Sequence, residues 1–280
     1  MFYLLNHFIQ MKTLLNDDDL NEALKNVSNL GFVPTMGSLH KGHISLIKQS
    51  INKTRKTLVS IYINPKQFNN KKDFKKYPKN IKKDLSILKS LKVDFVYLPK
   101  TKDIYNKKRL KKIKLKRKDK ILCAKYRKGH FEGVLDIMDR LVKKIKPKYV
   151  FMGLKDFQQF YLVKNYIEKK YECKVLACKT IRNKNKLALS SRNFLLNKKD
   201  FNKAERLSID LFRLKIKLGK LINVSKFLND TKIILSKKYN LNIEYLELRN
   251  KKNFRKTNNI KFSNLFVAYY LGKIRLIDNF

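Results

Sequence analysis

Phe32-Val33-Pro34-Thr35-Met36-Gly37-Ser38-Leu39-His40-Lys41-Gly42-His43 is the stretch on which the reading of this chain turns, because two histidines flank a glycine where a short apolar strand gives way to a helix. Residues 31–34 read as the end of a buried strand, 35–38 as a tight turn, and 42–53 as a helix with Ile44, Leu46, Ile47 and Ile51 on its inner face. The helix therefore begins at the histidines. Its first turn offers unpaired backbone N–H groups and a partial positive charge, both of which favour bound phosphate. His40 and His43, three apart, share one face of that turn and bring side-chain donors to the same anion. Gly37 and Gly42 carry no Cβ, so the backbone there can come close to a ligand. A metal site would need further Cys, His or carboxylate ligands, and the sequence nearby supplies none. A pair of ordinary surface histidines stays open on spacing alone.

Outward from this turn, strand-like runs at 58–63, 95–98, 149–152 and 174–177 alternate with helix-like runs at 44–53, 81–91, 134–145 and 157–169. Such alternation predicts an α/β chain with a parallel sheet and helices on both faces. Ligands of such sheets bind beyond the carboxyl ends of the strands, and three more polar loops fall there. Asn64-Pro65-Lys66-Gln67 follows a strand that Pro65 stops, and its two amides suit a neutral hydroxyl or carbonyl on a small substrate. Gly153-Leu154-Lys155-Asp156 repeats the strand-to-helix design, with lysine for phosphate charge, aspartate as cap or metal partner, and Gln159 one turn into the helix. Leu189-Ser190-Ser191-Arg192 sets two hydroxyls before a guanidinium whose planar fork holds phosphate oxygens in pairs. After residue 193 the pattern changes to two amphipathic helices, about 199–218 and 225–238, followed by strands at 243–248, 265–270 and 273–276, a small α+β unit whose boundary lies near 183–186.

At 280 residues the chain has ample material for one large or two smaller cores. Its net charge of +45 would ordinarily point to nucleic acid. The lysines are spread along the whole chain, however, beside abundant Asn and Ile, the residues that AT-rich codons specify. No specific nucleic-acid partner is expected. Only 107–120 is dense enough to count as a basic run, and it reads as a solvated loop or edge hairpin. Cys123, Cys173 and Cys178 lack both disulfide and zinc spacing. No apolar run approaches a membrane span, and residues 1–9 lack the basic start and cleavage site of a leader, so a cytoplasmic chain without a membrane partner is expected.

Taken jointly, residues 34–43, residues 60–68 with Asp73 and Tyr77-Pro78, Gly129-His130-Phe131 with Gly133, residues 153–159, residues 187–193 and the closing Arg275-Leu276-Ile277-Asp278-Asn279 resemble the pantoate–beta-alanine ligase (pantothenate synthetase) family, in the same order and over nearly the whole chain. The histidine motif alone is shared across the nucleotidyltransferase superfamily, class I aminoacyl-tRNA synthetases included; the joint set is specific. The resemblance implies a Rossmann-like nucleotide- and pantoate-binding domain over 1–183, a C-terminal α+β lid over 184–280, and a homodimer. It implies that pantoate attacks the α-phosphate of ATP to give pantoyl adenylate and pyrophosphate, after which β-alanine displaces AMP. Matched residue by residue, Met36, Gly37, Ser38, Leu39, His40, Lys41, Gly42 and His43 would hold ATP, with His40 and His43 on the phosphates and His43 as catalytic proton donor. Gly153, Leu154, Lys155, Asp156, Ile181, Leu189, Ser190, Ser191 and Arg192 would also contact ATP, with Lys155, Ser190, Ser191 and Arg192 serving its phosphates and with Lys155 and His40 joining His43 as catalytic residues. Gln67, Gln159 and Asn64 would hold pantoate, and Gln67 then β-alanine. Arg127 and His130 sit in the family's Arg-x-Gly-His-Phe segment near the same pocket. Mg²⁺ would ride on the ATP phosphates with no dedicated protein ligand, Asp156 being the candidate contact.

Three positions depart from the family pattern: Leu154 for Glu, Asp136 for Thr, and Asn185-Lys186 for Asp-Gly. Asp136 would add negative charge on the pantoate side, and Lys186 would be strained by about 1 kcal/mol if its backbone needs positive φ. A contrasting reading is a basic nucleic-acid-binding protein on a decayed enzyme scaffold. Three of the four histidines fall on matching site segments, which a decayed scaffold would not preserve.

Overall fold

A computed structural model describes residues 11–69, 71–105, 112–218 and 223–280. The segment 1–9 and residues 107–111 of the basic run lie outside the described residues; the rest of that run is loop with one 3-10 turn at Arg117–Asp119. The strands are β1 (Lys12–Leu14), β2 (Leu30–Thr35), β3 (Lys56–Ile61), β4 (Phe95–Tyr97), β5 (Tyr149–Gly153), β6 (Lys174–Cys178), β7 (Asn242–Asn250), β8 (Ser263–Leu271) and β9 (Ile274–Asn279). The helices are α1 (Asp17–Leu24), α2 (Lys41–Lys53), α3 (Lys71–Lys76), α4 (Ile81–Ser90), α5 (Thr101–Ile104), α6 (Cys123–Tyr126), α7 (His130–Ile145), α8 (Phe157–Lys170), α9 (Lys198–Lys217) and α10 (Val224–Tyr239).

Six strands form a parallel sheet in the order β1-β4-β3-β2-β5-β6, so the expected α/β class holds. Its inner strands β2, β3 and β5 are buried on both faces, with successive residues packing to opposite sides. Phe32, Leu58, Val150 and Val175 pack towards α1, α7 and α8, while Val33, Val59, Val96 and Phe151 pack towards α2 and α4. From β2 the chain runs outward through β3 to β4, then returns to place β5 on the other side of β2, with Phe32 opposite Val150. The strand order thus reverses between β2 and β5, and the crevice opens beyond their carboxyl ends, Thr35 and Gly153.

The antiparallel sheet β7-β8-β9 is the small C-terminal unit. Leu265, Val267 and Tyr269 of β8 face α9 and α10, while the alternate residues Phe266 and Ala268 join the core of the large body. Phe157 of α8 meets Phe254 and Phe266 at ring distances of 5.8 Å each, an aromatic seam between the two bodies. Strand β9 runs to Asn279, three residues beyond the pattern read from sequence, because its last residues pair with Phe266 and Val267. The three-residue strand β1 and helix α1 were not visible as sequence patterns. Among the described residues no helix is long and apolar enough to cross a membrane.

Candidate active site

A cleft of about 1470 Å³ lies over the reversal point. Met36, His40, Gly42 and His43 line it from the end of β2, Gln67 from the loop after β3, Gly153, Lys155, Asp156 and Gln159 from the end of β5, and Ile181 with 189–192 from the segment after β6. Residues up to 156 positions apart meet there because each follows a strand of one parallel sheet.

The histidine turn is built by unusual backbone. Gly37 and Ser38 both have positive φ, 77° and 53°. A Cβ on residue 37 would stand 2.9 Å from Asp84 Oδ2, so glycine is required twice over. The Asp84 carboxylate, buried on α4, accepts the N–H groups of Ser38 and Leu39 at 2.8 Å each. Those two donors are therefore spent inside the fold. Of the 36–43 stretch, Met36, His40, Gly42 and His43 line the cleft, and Gly37, Ser38, Leu39 and Lys41 lie outside its lining. Asp84 escaped the sequence reading, although a carboxylate one turn before Leu88 on the apolar face of α4 is the signal that would have found it.

His40 is the N-cap of α2, and its Nδ1 accepts from Gly42 N–H at 3.1 Å. His43 Nδ1 accepts in return from His40 N–H at 3.3 Å. This reciprocal cap places an acceptor on Nδ1 of each ring, so each neutral ring carries its proton on Nε2. Burial and then the charge of Lys155 push the His40 pKa down to about 4. Burial, His40 and Lys155 push His43 down to about 3, against an opposing pull from Asp156. Both are uncharged N–H donors at neutral pH. Lys155 Nζ lies 3.3 Å from Asp156 Oδ1. Desolvation works to raise the Asp156 pKa, but Lys155, Arg192 and His130 outweigh it and hold the carboxyl below its usual range.

The other end of the cleft uses its polar atoms differently. Asn64 is buried and outside the cleft lining: its amide donates to Gly133 O at 3.2 Å and its Oδ1 accepts from Lys66 N–H and from Tyr105 O–H, at 3.2 and 2.9 Å. It acts as a strut beneath the Gln67 loop. Gly133 lets that loop sit on α7, since a Cβ there would meet Lys66 O at 2.4 Å. His130 has both ring nitrogens engaged, Nδ1 with Gln67 O at 2.7 Å and Nε2 with Arg127 Nη1 at 2.9 Å. Burial and the adjacent Arg127 push its pKa down to about 3. The Gln67 amide itself points to the Met36 sulfur at 2.7 Å, a weak acceptor that a substrate oxygen would better.

Three further contacts organise the rim. Ser191 Oγ donates to Ser38 O at 3.1 Å, tying the 189–192 segment to the histidine turn, and Arg192 pairs with Asp73 at 2.8 Å. Asn279 Nδ2 donates to Leu154 O and Lys155 O at 2.8 and 2.9 Å, so the last strand clasps the lysine turn. Leu154 stays out of the cleft, and its carbonyl, which any residue supplies, is the atom used. Asp136 is also outside the cleft lining, with its carboxylate bonded to Arg140 Nε at 3.1 Å and 3.9 Å from Lys66 Nζ. Lys186 does adopt positive φ, 66°, as its position in place of glycine implied. Among the described residues no group of three or more His, Cys, Asp or Glu is placed to hold a metal ion.

The whole chain is comparable with known proteins. The family model described as pantoate-beta-alanine ligase matches residues 8–280. The pantothenate synthetase of Leptospira biflexa is 38% identical over 268 residues, covering 93% of each chain, and that of Campylobacter hominis 38% over 275 residues, covering 96% of this chain and 99% of the relative. Among solved structures, the pantothenate synthetase of Thermus thermophilus superposes with a TM-score of 0.89 at 27% identity, over 96% of this chain and 99% of that one. The pantoate-beta-alanine ligase of Francisella tularensis, solved with beta-gamma ATP and beta-alanine, gives 0.81 at 34%, over 96% and 97%. With motif order, fold and full-length likeness in agreement, the chain belongs to the pantoate–beta-alanine ligase family.

Proposed function

We propose that this protein joins pantoate to β-alanine at the expense of ATP, through pantoyl adenylate, releasing pyrophosphate and AMP in the biosynthesis of pantothenate. The observation that carries the reading is the pair of neutral, cap-fixed histidines at the start of α2, facing Lys155 across the reversal point of the sheet.

Attack on phosphorus needs alignment and neutralisation of developing charge more than it needs a protein nucleophile. His40 and His43 would each donate Nε2–H to the reacting phosphate, with no proton released at neutral pH. This narrows the role of His43 from acid to hydrogen-bond donor. Lys155 and Arg192 would supply the full charges, exchanging Asp156 and Asp73 for phosphate oxygens. Ile181, Leu189 and Ser190 would line the nucleotide, and Gln67 and Gln159 would hold pantoate by their amides. In the second step the amine attacks the acyl carbon, the C–N bond forms, the bond to AMP breaks, and the amine gives up a proton. The small antiparallel sheet, packed on the large body, would shield the adenylate from water. We place the boundary between the two bodies after residue 183.

A lone ionised carboxylate beside phosphate oxygens is a donor set that suits Mg²⁺, and Asp156 fits it. When bound there, the ion would neutralise charge on the triphosphate. A cytoplasmic homodimer is the assembly in keeping with the family. The deciding measurement is exchange of labelled pyrophosphate into ATP, expected to require pantoate and Mg²⁺ but not β-alanine. Strict dependence on β-alanine would rule out a free adenylate.

A further inference from the structure

Three arginines line the cleft, and two of them have carboxylate partners: Arg192 with Asp73 at 2.8 Å and Arg275 with Glu244 at 2.5 Å. Arg127 has none within ion-pair distance among the described residues. Its guanidinium is held by neutral groups only, Nη1 on His130 Nε2 at 2.9 Å and Nη2 towards Gln67 O at 3.4 Å. Two of its five N–H groups are thereby used, and the remaining ones are uncommitted. Burial, followed by the charges of Arg192 and Arg275, lowers the Arg127 pKa to about 10, the mark of a locus short of negative charge. His130, with both nitrogens engaged, fixes the guanidinium and the Gln67 backbone to each other.

A cation without a counter-ion, locked to the backbone of the residue expected to handle the small substrates, is a carboxylate receptor. In the ligase reading, the triphosphate has Lys155 and Arg192, and the pantoate carboxylate is consumed in the adenylate. Lys76, Lys179 and Lys273 also line the cleft, but among the described residues it is Arg127 whose cation is held at the Gln67 backbone, and the carboxylate it is placed to meet is that of β-alanine, which lies two methylenes from the reacting amine. We infer that Arg127 binds the carboxylate of the amine substrate and so selects an ω-amino acid over a plain amine. The inference rests on the ligase reading and adds a specificity residue to it.

The test compares wild type with Arg127→Gln and Arg127→Lys in two assays: pantoate-dependent pyrophosphate exchange, and amide formation from β-alanine or from its carboxylate-free analogue propylamine. Loss of a hydrogen-bonded charge pair predicts that amide formation from β-alanine falls about 10- to 100-fold further than exchange in Arg127→Gln, with KM for β-alanine bearing the loss. The preference for β-alanine over propylamine should collapse in Arg127→Gln and return in part in Arg127→Lys. Equal loss of exchange and amide formation would assign Arg127 to phosphate or to the fold, and an intact preference in Arg127→Gln would remove it from the amine site; either result overturns the inference. Absence of exchange in the wild type would instead overturn the ligase reading beneath it.

Discussion

His40 and His43 at one end of the cleft, and His130 at the other, are the same residue in the same neutral state for the same first reason, burial, yet they do different work. Each of the first two spends Nδ1 on the backbone of its own helix turn and keeps Nε2 as a donor for the cleft. His130 spends both nitrogens on neighbours, one on Gln67 O and one on Arg127. The difference teaches that a histidine in a site motif is a reagent or a strut according to how its two nitrogens are shared out. The histidine-turn end, proposed for phosphate, is built of donors left over; the Gln67 end, proposed for the small substrates, is built of polar atoms used to aim a few others.

The contrast is open to attack by mutation. The largest effect should come from His43→Ala, which removes a positioned donor from a desolvated site and should slow pyrophosphate exchange by about 100- to 1000-fold. Thermal unfolding should change little, since half-buried His43 adds little to the core; a large drop in stability with modest loss of exchange would make His43 a strut as well. His130→Ala should show the reverse balance. Losing a buried group with two hydrogen bonds should cost about 2–3 kcal/mol of stability, and single-turnover rates of both half-reactions should fall together, because the Gln67 loop and Arg127 are both released.

Acid titration sharpens the comparison, since it treats all three rings alike. Their folded pKa values lie below the unfolded value of 6.5, at about 4 for His40 and about 3 for His43 and His130. The unfolded chain therefore binds protons first as pH falls. The stability due to neutral burial is complete above about 6.5 and is lost progressively down to about 3. Urea unfolding followed from pH 7 to pH 4 should show this slope, and His130→Gln should make it shallower; an unchanged slope would mean that His130 is not buried neutral. Exchange activity, in contrast, should show no histidine titration between pH 6 and 8. The smallest effect should be that of Lys186→Gly. Relief of a left-handed lysine at φ 66° should raise stability by up to about 1 kcal/mol, offset in part by the freedom of glycine in the unfolded chain, with kinetics untouched.

The sequence by itself determined the parallel sheet, because strands buried on both faces must read as short apolar runs between amphipathic helices, and Phe32-Val33, Leu58-Val59 and Val150-Phe151 do so. It also determined which loops line the cleft, since residue types suited to phosphate recur after three of those strands and amides after a fourth. It missed β1 and α1, whose few residues carry no periodicity of their own. Only the tertiary structure decided which motif residues face the cleft. The reversal of strand order between β2 and β5 brings His40 and Lys155 together, although nothing local in either segment refers to the other. The partners that turn Asn64, Ser38 and His130 inward come from Gly133, Asp84 and Gln67, far along the chain. A side chain's type tells what it can donate or accept; what it has left to offer a substrate depends on what the folded chain has already taken.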